Sequence, residues 1–195
     1  VLQAVRRAKD AEPSPRGREI LEQLLENARI SAAERIPLCQ DTGLTVVFVE
    51  QGQDLRIEPP AGAPDRTLAD AIQDGVADGY DKGRLRKSIV AEPLHERKNT
   101  KTNTPAVIHH TVVAGDRLRL AVMLKGGGCE NMSRLAMLSP GDGYRGVMDF
   151  IVDTVRAGGG RPCPPVVIGV GVGGTFELAA LNAKRSLLRT IGNRH

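Results

Sequence analysis

Apolar positions along the chain change period several times, and each change marks an element. Residues 1–10 read as a short helix, broken by Glu12-Pro13-Ser14-Pro15. Ser14 followed by Pro15 places an N-cap before a proline at the first helical position. Ile20, Leu21, Leu24, Leu25 and Ala28 then recur at helical spacing, which predicts an amphipathic helix to about residue 28 and a further turn over 31–35. Residues 45–49 are a β-branched run, with 55–57 as the expected partner strand across the turn Gln51-Gly52-Gln53-Asp54. Thr67 caps a helix running to about residue 82, and Gly83 stops it.

The second half alternates between strands and helices. Residues 106–113 and 118–124 flank Ala114-Gly115-Asp116 and read as a hairpin. In its second strand Leu118, Leu120, Val122 and Leu124 share one face, the pattern of a half-buried strand. A glycine-rich loop over 125–131 follows, then a helical turn over 132–137, and a helix over 144–156 stopped by Gly158-Gly159-Gly160. The near-continuous apolar run over 166–172 predicts a buried, glycine-rich strand. Gly173-Gly174 turns it into a helix from Thr175 to about residue 189. Helices and antiparallel hairpins mix without strict βαβ alternation, repeats are absent and no linker divides the chain, so the expected class is α+β in a single domain.

Composition excludes several functions. The 195 residues carry 27 basic and 23 acidic side chains, a net charge of only +4. With no Trp, 2 Tyr and 3 Phe there is no platform for stacking bases, so nucleic acid is not an expected partner. No apolar run is long enough to span a membrane, and no signal peptide precedes the first charges. The chain opens at Val1 without Met, as a trimmed or fragmentary product would. Three cysteines, Cys39, Cys129 and Cys163, are too few and too odd in number for a disulfide scaffold, and suit a reducing, cytoplasmic setting.

Four segments offer chemistry. The loop Cys39-Gln40-Asp41-Thr42-Gly43 sets a thiol, an amide and a carboxylate side by side before a strand; Cys39 could ligate a metal, Gln40 could hydrogen-bond a ligand and Asp41 could serve as a base. The same residues could instead satisfy turn backbone groups. Lys125-Gly126-Gly127-Gly128 lacks the spacing of a phosphate-binding P-loop, yet its glycines would let an anion approach the backbone. Cys163 sits between Pro162 and Pro164-Pro165, a stiff platform suited to a metal ligand. Gly169, Gly171 and Gly174 meet a dinucleotide spacing, but no βαβ unit surrounds them, so tight strand–helix packing is the simpler reading. One arginine of Arg84-Leu85-Arg86-Lys87 could hold a carboxylate through its planar fork. His95, His109, His110 and His195 show no zinc-binding spacing, and one of the paired strand histidines would face inward.

The order of these motifs is specific. The segment 37–43, Leu85-Arg86-Lys87-Ser88, Asn99-Thr100, Asn103-Thr104-Pro105-Ala106, Lys125-Gly126-Gly127-Gly128, Cys163-Pro164-Pro165 and Gly173-Gly174-Thr175 follow one another as in the α subunit, or N-terminal catalytic domain, of the class I iron–sulfur hydro-lyases. The chain resembles that family, the class I fumarases and L-tartrate dehydratases, over about residues 37–189. The resemblance implies reversible dehydration of a 2-hydroxy dicarboxylate, malate to fumarate or tartrate, at a [4Fe–4S] cluster held by three cysteines. Three thiolates leave one iron open as a Lewis acid. By the same resemblance Cys39 and Cys163 are cluster ligands and Gln40 and Asp41 line the substrate site. Asp41 orients or shares the proton transfer, Arg86 binds a substrate carboxylate, and Gly126 offers a backbone contact. A catalytic threonine and further basic groups come, in the family, from a β subunit or C-terminal domain, so an oligomer is expected. The family's third cluster cysteine lies well downstream of the Cys163 segment and is lacking here, so residues 1–195 read as an α-type catalytic domain truncated at its C-terminus. Cys129 is then a bystander or a substitute ligand. The rival readings are a non-catalytic iron–sulfur or metal-binding assembly subunit and a nucleotide-binding module at Gly169.

Overall fold

The computed structural model describes residues 1–191 and 193; His195 lies outside the described residues. The expected α+β class is found: six helices and one three-stranded sheet among the described residues. Contacts divide the chain into two compact units, one made of residues 1–39 and 131–195, the other of residues 40–130.

The 40–130 unit is built around one strand. β1 (Leu44–Gly52) carries the β-branched run, and Val46, Val47, Phe48 and Val49 are all buried. A strand apolar on both faces needs a ladder on each edge as well as cover above and below. It pairs in parallel with β2 (Val107–Val113) and antiparallel with β3 (Leu118–Lys125), so the sheet order is β2-β1-β3. The hairpin expected from 106–113 and 118–124 therefore does not form, because β1 lies between its two arms. The strand expected at 55–57 is also absent. Instead the end of β1 is tied to the β2–β3 connection: Gly52 N donates to Arg117 O at 2.8 Å, Gln53 N to Val113 O at 2.8 Å and Asp54 N to Gly115 O at 2.9 Å. A Cβ on Gly52 would stand 2.2 Å from Gly115 O, so only glycine admits that crossing.

α3 (Leu68–Lys82) connects β1 to β2. Thr67 and Asp70 cap it reciprocally, the Thr67 side chain accepting from Asp70 N and the Asp70 carboxylate from Thr67 N. Leu68, Ile72 and Val76 pack on Val47, Val49, Ala106 and Ile108, which is the core. The helix covers the β1–β2 half of that face. Leu120, Val122 and Leu124 of β3 stay 46%, 59% and 52% exposed, so the alternation correctly marks a strand but its apolar row lines an open groove rather than a buried face. On β2, His109 is half-buried and stacks on Phe48 at 5.1 Å, while His110 is exposed.

In the other unit, α1 (Leu2–Ala11) packs against α2 (Pro15–Glu34). Ser14 caps α2 as expected, accepting from Gly17 N at 3.3 Å with Pro15 at N1. The helix runs unbroken past residue 28, taking in the separate turn expected at 31–35, because nothing between them lacks an amide or demands a positive φ before Arg35 at +54°. The turn expected over 132–137 is irregular chain. α5 (Gly143–Gly158) ends at Gly159, whose φ is +55°. The glycine-rich strand expected at 166–172 is a correction: the segment is extended but joins no sheet, and Val166, Val167, Ile168, Val170 and Val172 are 41–67% exposed. Its glycines serve contact with α6 (Phe176–Ser186) instead. A Cβ at Gly169 would stand 2.2 Å from Ala183 O, and one at Gly171 2.2 Å from Ala179 O. That is the packing reading of the glycines, with no strand of a dinucleotide fold before the helix.

Candidate functional site

The 40–130 unit gathers the polar residues singled out in the sequence around the turn that enters β1. Asp41 folds back on its own chain, Oδ1 accepting from Gly43 N at 3.0 Å, the short-range bond typical of an Asx turn. Its other oxygen, Oδ2, accepts from Gly128 N at 3.2 Å. The Gly126–Gly128 loop was expected to receive an anion, and the anion it receives here is the Asp41 carboxylate. α4 (Gly127–Glu130), a single turn, starts under it.

Glycine is required at the centre of this arrangement. Gly43 has φ +66°, and a Cβ there would stand 2.0 Å from Lys125 O at the end of β3. A Cβ on Gly126 would stand 3.3 Å from Asp41 Oδ2, so this glycine leaves the carboxylate approachable from the backbone side. Lys125 in turn pairs with Glu130 at 3.4 Å.

Arg86 is brought to the same place. Its Nη2 lies 3.9 Å from Asp41 Oδ1, and the side chain remains 54% exposed against 21% for Asp41. That geometry is a loose ion pair with the guanidinium free to face a ligand, not a closed bidentate pair. Thr42 Oγ donates to Arg86 O at 2.9 Å, and Arg86 Nε donates to Ser88 Oγ at 3.1 Å, so both backbone and side chain of the arginine are oriented. Gln40 is exposed beside Asp41.

Two residues that sequence reasoning did not assign hold these pieces. Tyr80, at the end of α3 and 2% exposed, donates from its hydroxyl to Thr42 O at 2.8 Å and Gly43 O at 3.1 Å. Asn103, fully buried, donates from Nδ2 to Gly43 O at 2.9 Å and accepts at Oδ1 from Ser88 N at 2.7 Å and Ile89 N at 3.0 Å. Asn103 stood inside a motif already noted. That motif was the one signal available in the sequence; the structure adds a φ of +58°, a conformation asparagine tolerates better than most residues.

The thiols are placed separately. In the unit of residues 1–39 and 131–195, Cys39 is half-buried after Leu38, whose carbonyl accepts from Asn27 Nδ2 at 2.8 Å, so α2 anchors the approach to the thiol. Cys163 is exposed on the proline-flanked segment after α5. Cys129 is half-buried and belongs to the 40–130 unit. None forms a disulfide, and thiols of this kind suit iron–sulfur ligation in their chemistry. Among the described residues no three of His, Cys, Asp and Glu converge as a metal site.

Charge elsewhere is tuned by local bonds. The Glu92 carboxyl is held down to about 2 by backbone amides, first that of Arg97, then those of His95 and Leu94. Among the described residues no helix is long and apolar enough to cross a membrane.

Residues 1–195 match the model of the fumarate hydratase (fumerase) family along their whole length. The chain is 36% identical over 200 residues to a protein of Methanocaldococcus jannaschii provisionally named L(+)-tartrate dehydratase subunit alpha, covering all of this chain and 68% of that one. It is 31% identical over 197 residues to the L(+)-tartrate dehydratase subunit alpha of Escherichia coli K12, and 32% identical to that of strain UTI89, covering 63% of each. The chain thus spans about two thirds of the length of the curated relatives it matches.

Proposed function

Because the chain belongs to the fumarate hydratase family, we propose that it is the α-type part of a hydro-lyase that reversibly removes water from a 2-hydroxy dicarboxylate, malate or tartrate. The observation that carries this reading is the meeting of Asp41, Arg86 and the Gly126–Gly128 loop at one turn, with the carboxylate and guanidinium 3.9 Å apart.

Dehydration breaks a C–O bond and the C–H bond on the neighbouring carbon, forms C=C and releases water. It therefore needs a fixed substrate carboxylate, a group to take the proton and help for the leaving hydroxyl. Arg86 binds a terminal carboxylate through its exposed fork. Gln40 hydrogen-bonds the substrate beside it, and the Gly126 backbone, bare of a Cβ, lets the substrate lie close. Asp41, held by two backbone amides, keeps its carboxylate aimed and orients or shares the transferred proton. A β subunit or C-terminal domain contributes the remaining catalytic groups, as the subunit names of the relatives support. The setting we assign is cytoplasmic, in keeping with three thiols and no disulfide.

Cys39 and Cys163 are the residues we assign to a [4Fe–4S] cluster, as the family resemblance implies. When bound, a cluster with one open iron supplies Lewis-acid chemistry.

The test is to co-express the chain with its β partner, reconstitute with iron and sulfide without oxygen, and measure fumarate hydration and L-tartrate dehydration. Turnover that requires both subunits is the expected result. Bound iron with no turnover on either substrate would favour a non-catalytic assembly subunit. The isolated chain, purified in air, is expected to carry neither a stoichiometric cluster nor activity, since a site short of ligands holds metal poorly.

A further inference from the structure

We propose that Asn103 is a positioning residue that sets the separation between the Asp41 carboxylate and the Arg86 guanidinium. The proposal rests on the reading of those two side chains as the substrate site.

Asn103 is fully buried, and its amide is used on both ends. Toward one side, Nδ2 donates to Gly43 O at 2.9 Å, and Gly43 N donates to Asp41 Oδ1 at 3.0 Å. Toward the other, Oδ1 accepts from Ser88 N at 2.7 Å, and Ser88 Oγ accepts from Arg86 Nε at 3.1 Å. One planar amide thus lies a single residue from each functional group, on two segments far apart in sequence. Its plane is rigid and its donor and acceptor are a fixed distance apart, so it acts as a spacer between the segments.

A buried polar side chain costs free energy unless it is fully paired, and here every bond goes to the backbone of one of the two segments; an apolar residue would fill the same space but leave Gly43 O, Ser88 N and Ile89 N without this partner. The φ of +58° adds a backbone cost that asparagine bears better than most residues. What the asparagine alone supplies is a donor and an acceptor on opposite ends of one short side chain. Aspartate keeps the acceptor toward Ser88 and Ile89 but sets an oxygen against the Gly43 carbonyl. Glycine accepts the backbone conformation and removes all three bonds.

The test uses the assembled two-subunit enzyme and succinate, a dicarboxylate with no leaving hydroxyl, titrated calorimetrically. Asn103→Gly and Asn103→Asp are each made alone and together with Arg86→Ala. If Asn103 acts through Arg86, either change weakens succinate binding about tenfold in the native background, and less than about twofold once Arg86 is gone, the non-additivity expected of coupled neighbours. Asn103→Asp, which keeps two of the three bonds, is expected to lose less than Asn103→Gly. An equal loss in both backgrounds, or no loss at all while Arg86→Ala alone weakens binding, overturns the positioning role and leaves the site reading intact. If Arg86→Ala alone changes nothing, the site reading fails and takes the proposal with it. If neither Asn103 variant folds, as judged by its circular dichroism and melting, Asn103 is structural and the proposal falls.

Discussion

The Gly128 amide donates to Asp41 Oδ2 at 3.2 Å across 87 positions of sequence, so the carboxylate closes the turn into β1 onto the glycine loop that leaves β3. Gly128 N and Gly43 N together hold the carboxylate by both of its oxygens. Replacing it by asparagine preserves shape but turns an NH2 toward one of the two amides and removes the charge. Asp41→Asn is expected to cut turnover by about 10²–10⁴-fold, the usual worth of a positioned acid or base. Turnover of the assembled enzyme, read beside the melting temperature, is the check. Full activity with lowered stability would make Asp41 a cap and nothing more.

Arg86 makes a contrasting case. It is half exposed and only loosely paired with Asp41, so it contributes little to folding and its guanidinium stays available. Arg86→Lys keeps the charge and loses the fork. We expect kcat/KM to fall by the equivalent of about 1.5–3 kcal/mol, as for hydrogen bonds to charged groups, with unfolding in urea unchanged. Equal kcat/KM in the two proteins would show the side chain to be merely solvated.

Local rules made much of the fold legible. The caps at Ser14 and Thr67 and the run in β1 are decided within a few residues, and all appear where the sequence puts them. The pairing of strands is not decided locally. A four-residue connection between residues 113 and 118 suits a hairpin, yet β1 takes both partners because it is buried on both faces and each of its edges needs a ladder of hydrogen bonds. The run at 166–172 misled for the opposite reason: Gly169 and Gly171 admit the α6 backbone, so the segment packs on a helix without joining a ladder. For the site, residue type pointed to Asp41 and to the glycine loop over 125–128, and the family resemblance singled out Arg86 and Gly126. Tyr80 and Asn103 escaped because their roles consist of hydrogen bonds to backbone atoms tens of residues away.

Gly43 separates two costs that are usually confounded. Its φ is +66°, and a Cβ would also stand 2.0 Å from Lys125 O. Gly62 has φ +83° with nothing within 4 Å of the Cβ position. Gly62→Ala should cost only the backbone strain, about 1–3 kcal/mol. Gly43→Ala should cost more than that, because the end of β3 must shift as well. Chemical denaturation of both variants gives the comparison, and equal losses would mean that the strand end yields freely.

Glu92 provides a pH dependence with a definite sign. Its carboxylate accepts from Arg97 N at 2.7 Å, His95 N at 2.9 Å and Leu94 N at 2.8 Å, which lowers its pKa from 4.5 to about 2. A folded-state value below the unfolded one means that the ionised form stabilises the loop. That contribution is complete above the ordinary carboxylate value and is lost as pH falls from about 4.5 toward about 2. Amide exchange at residues 94, 95 and 97 should therefore lose protection over that window, while Glu92→Gln should be unprotected at every pH. Protection that persists below the window in the native protein would refute the carboxylate as the organiser of this loop.

Tyr80 tests whether the Asp41 turn depends on α3. Its hydroxyl, buried with the rest of the ring, reaches Thr42 O at 2.8 Å and Gly43 O at 3.1 Å. Tyr80→Phe keeps the ring against the core and deletes the donor. Gly43 O still accepts from Asn103, so the carbonyl stripped of its bond is that of Thr42. A buried acceptor left unpaired costs about 1–3 kcal/mol, which is the loss expected in urea unfolding. Because Asn103 continues to link Gly43 to Ser88, succinate binding should change less than it does in Asn103→Gly. The reverse order of effects, strong on binding and negligible on stability, would move the role of spacer from Asn103 to Tyr80.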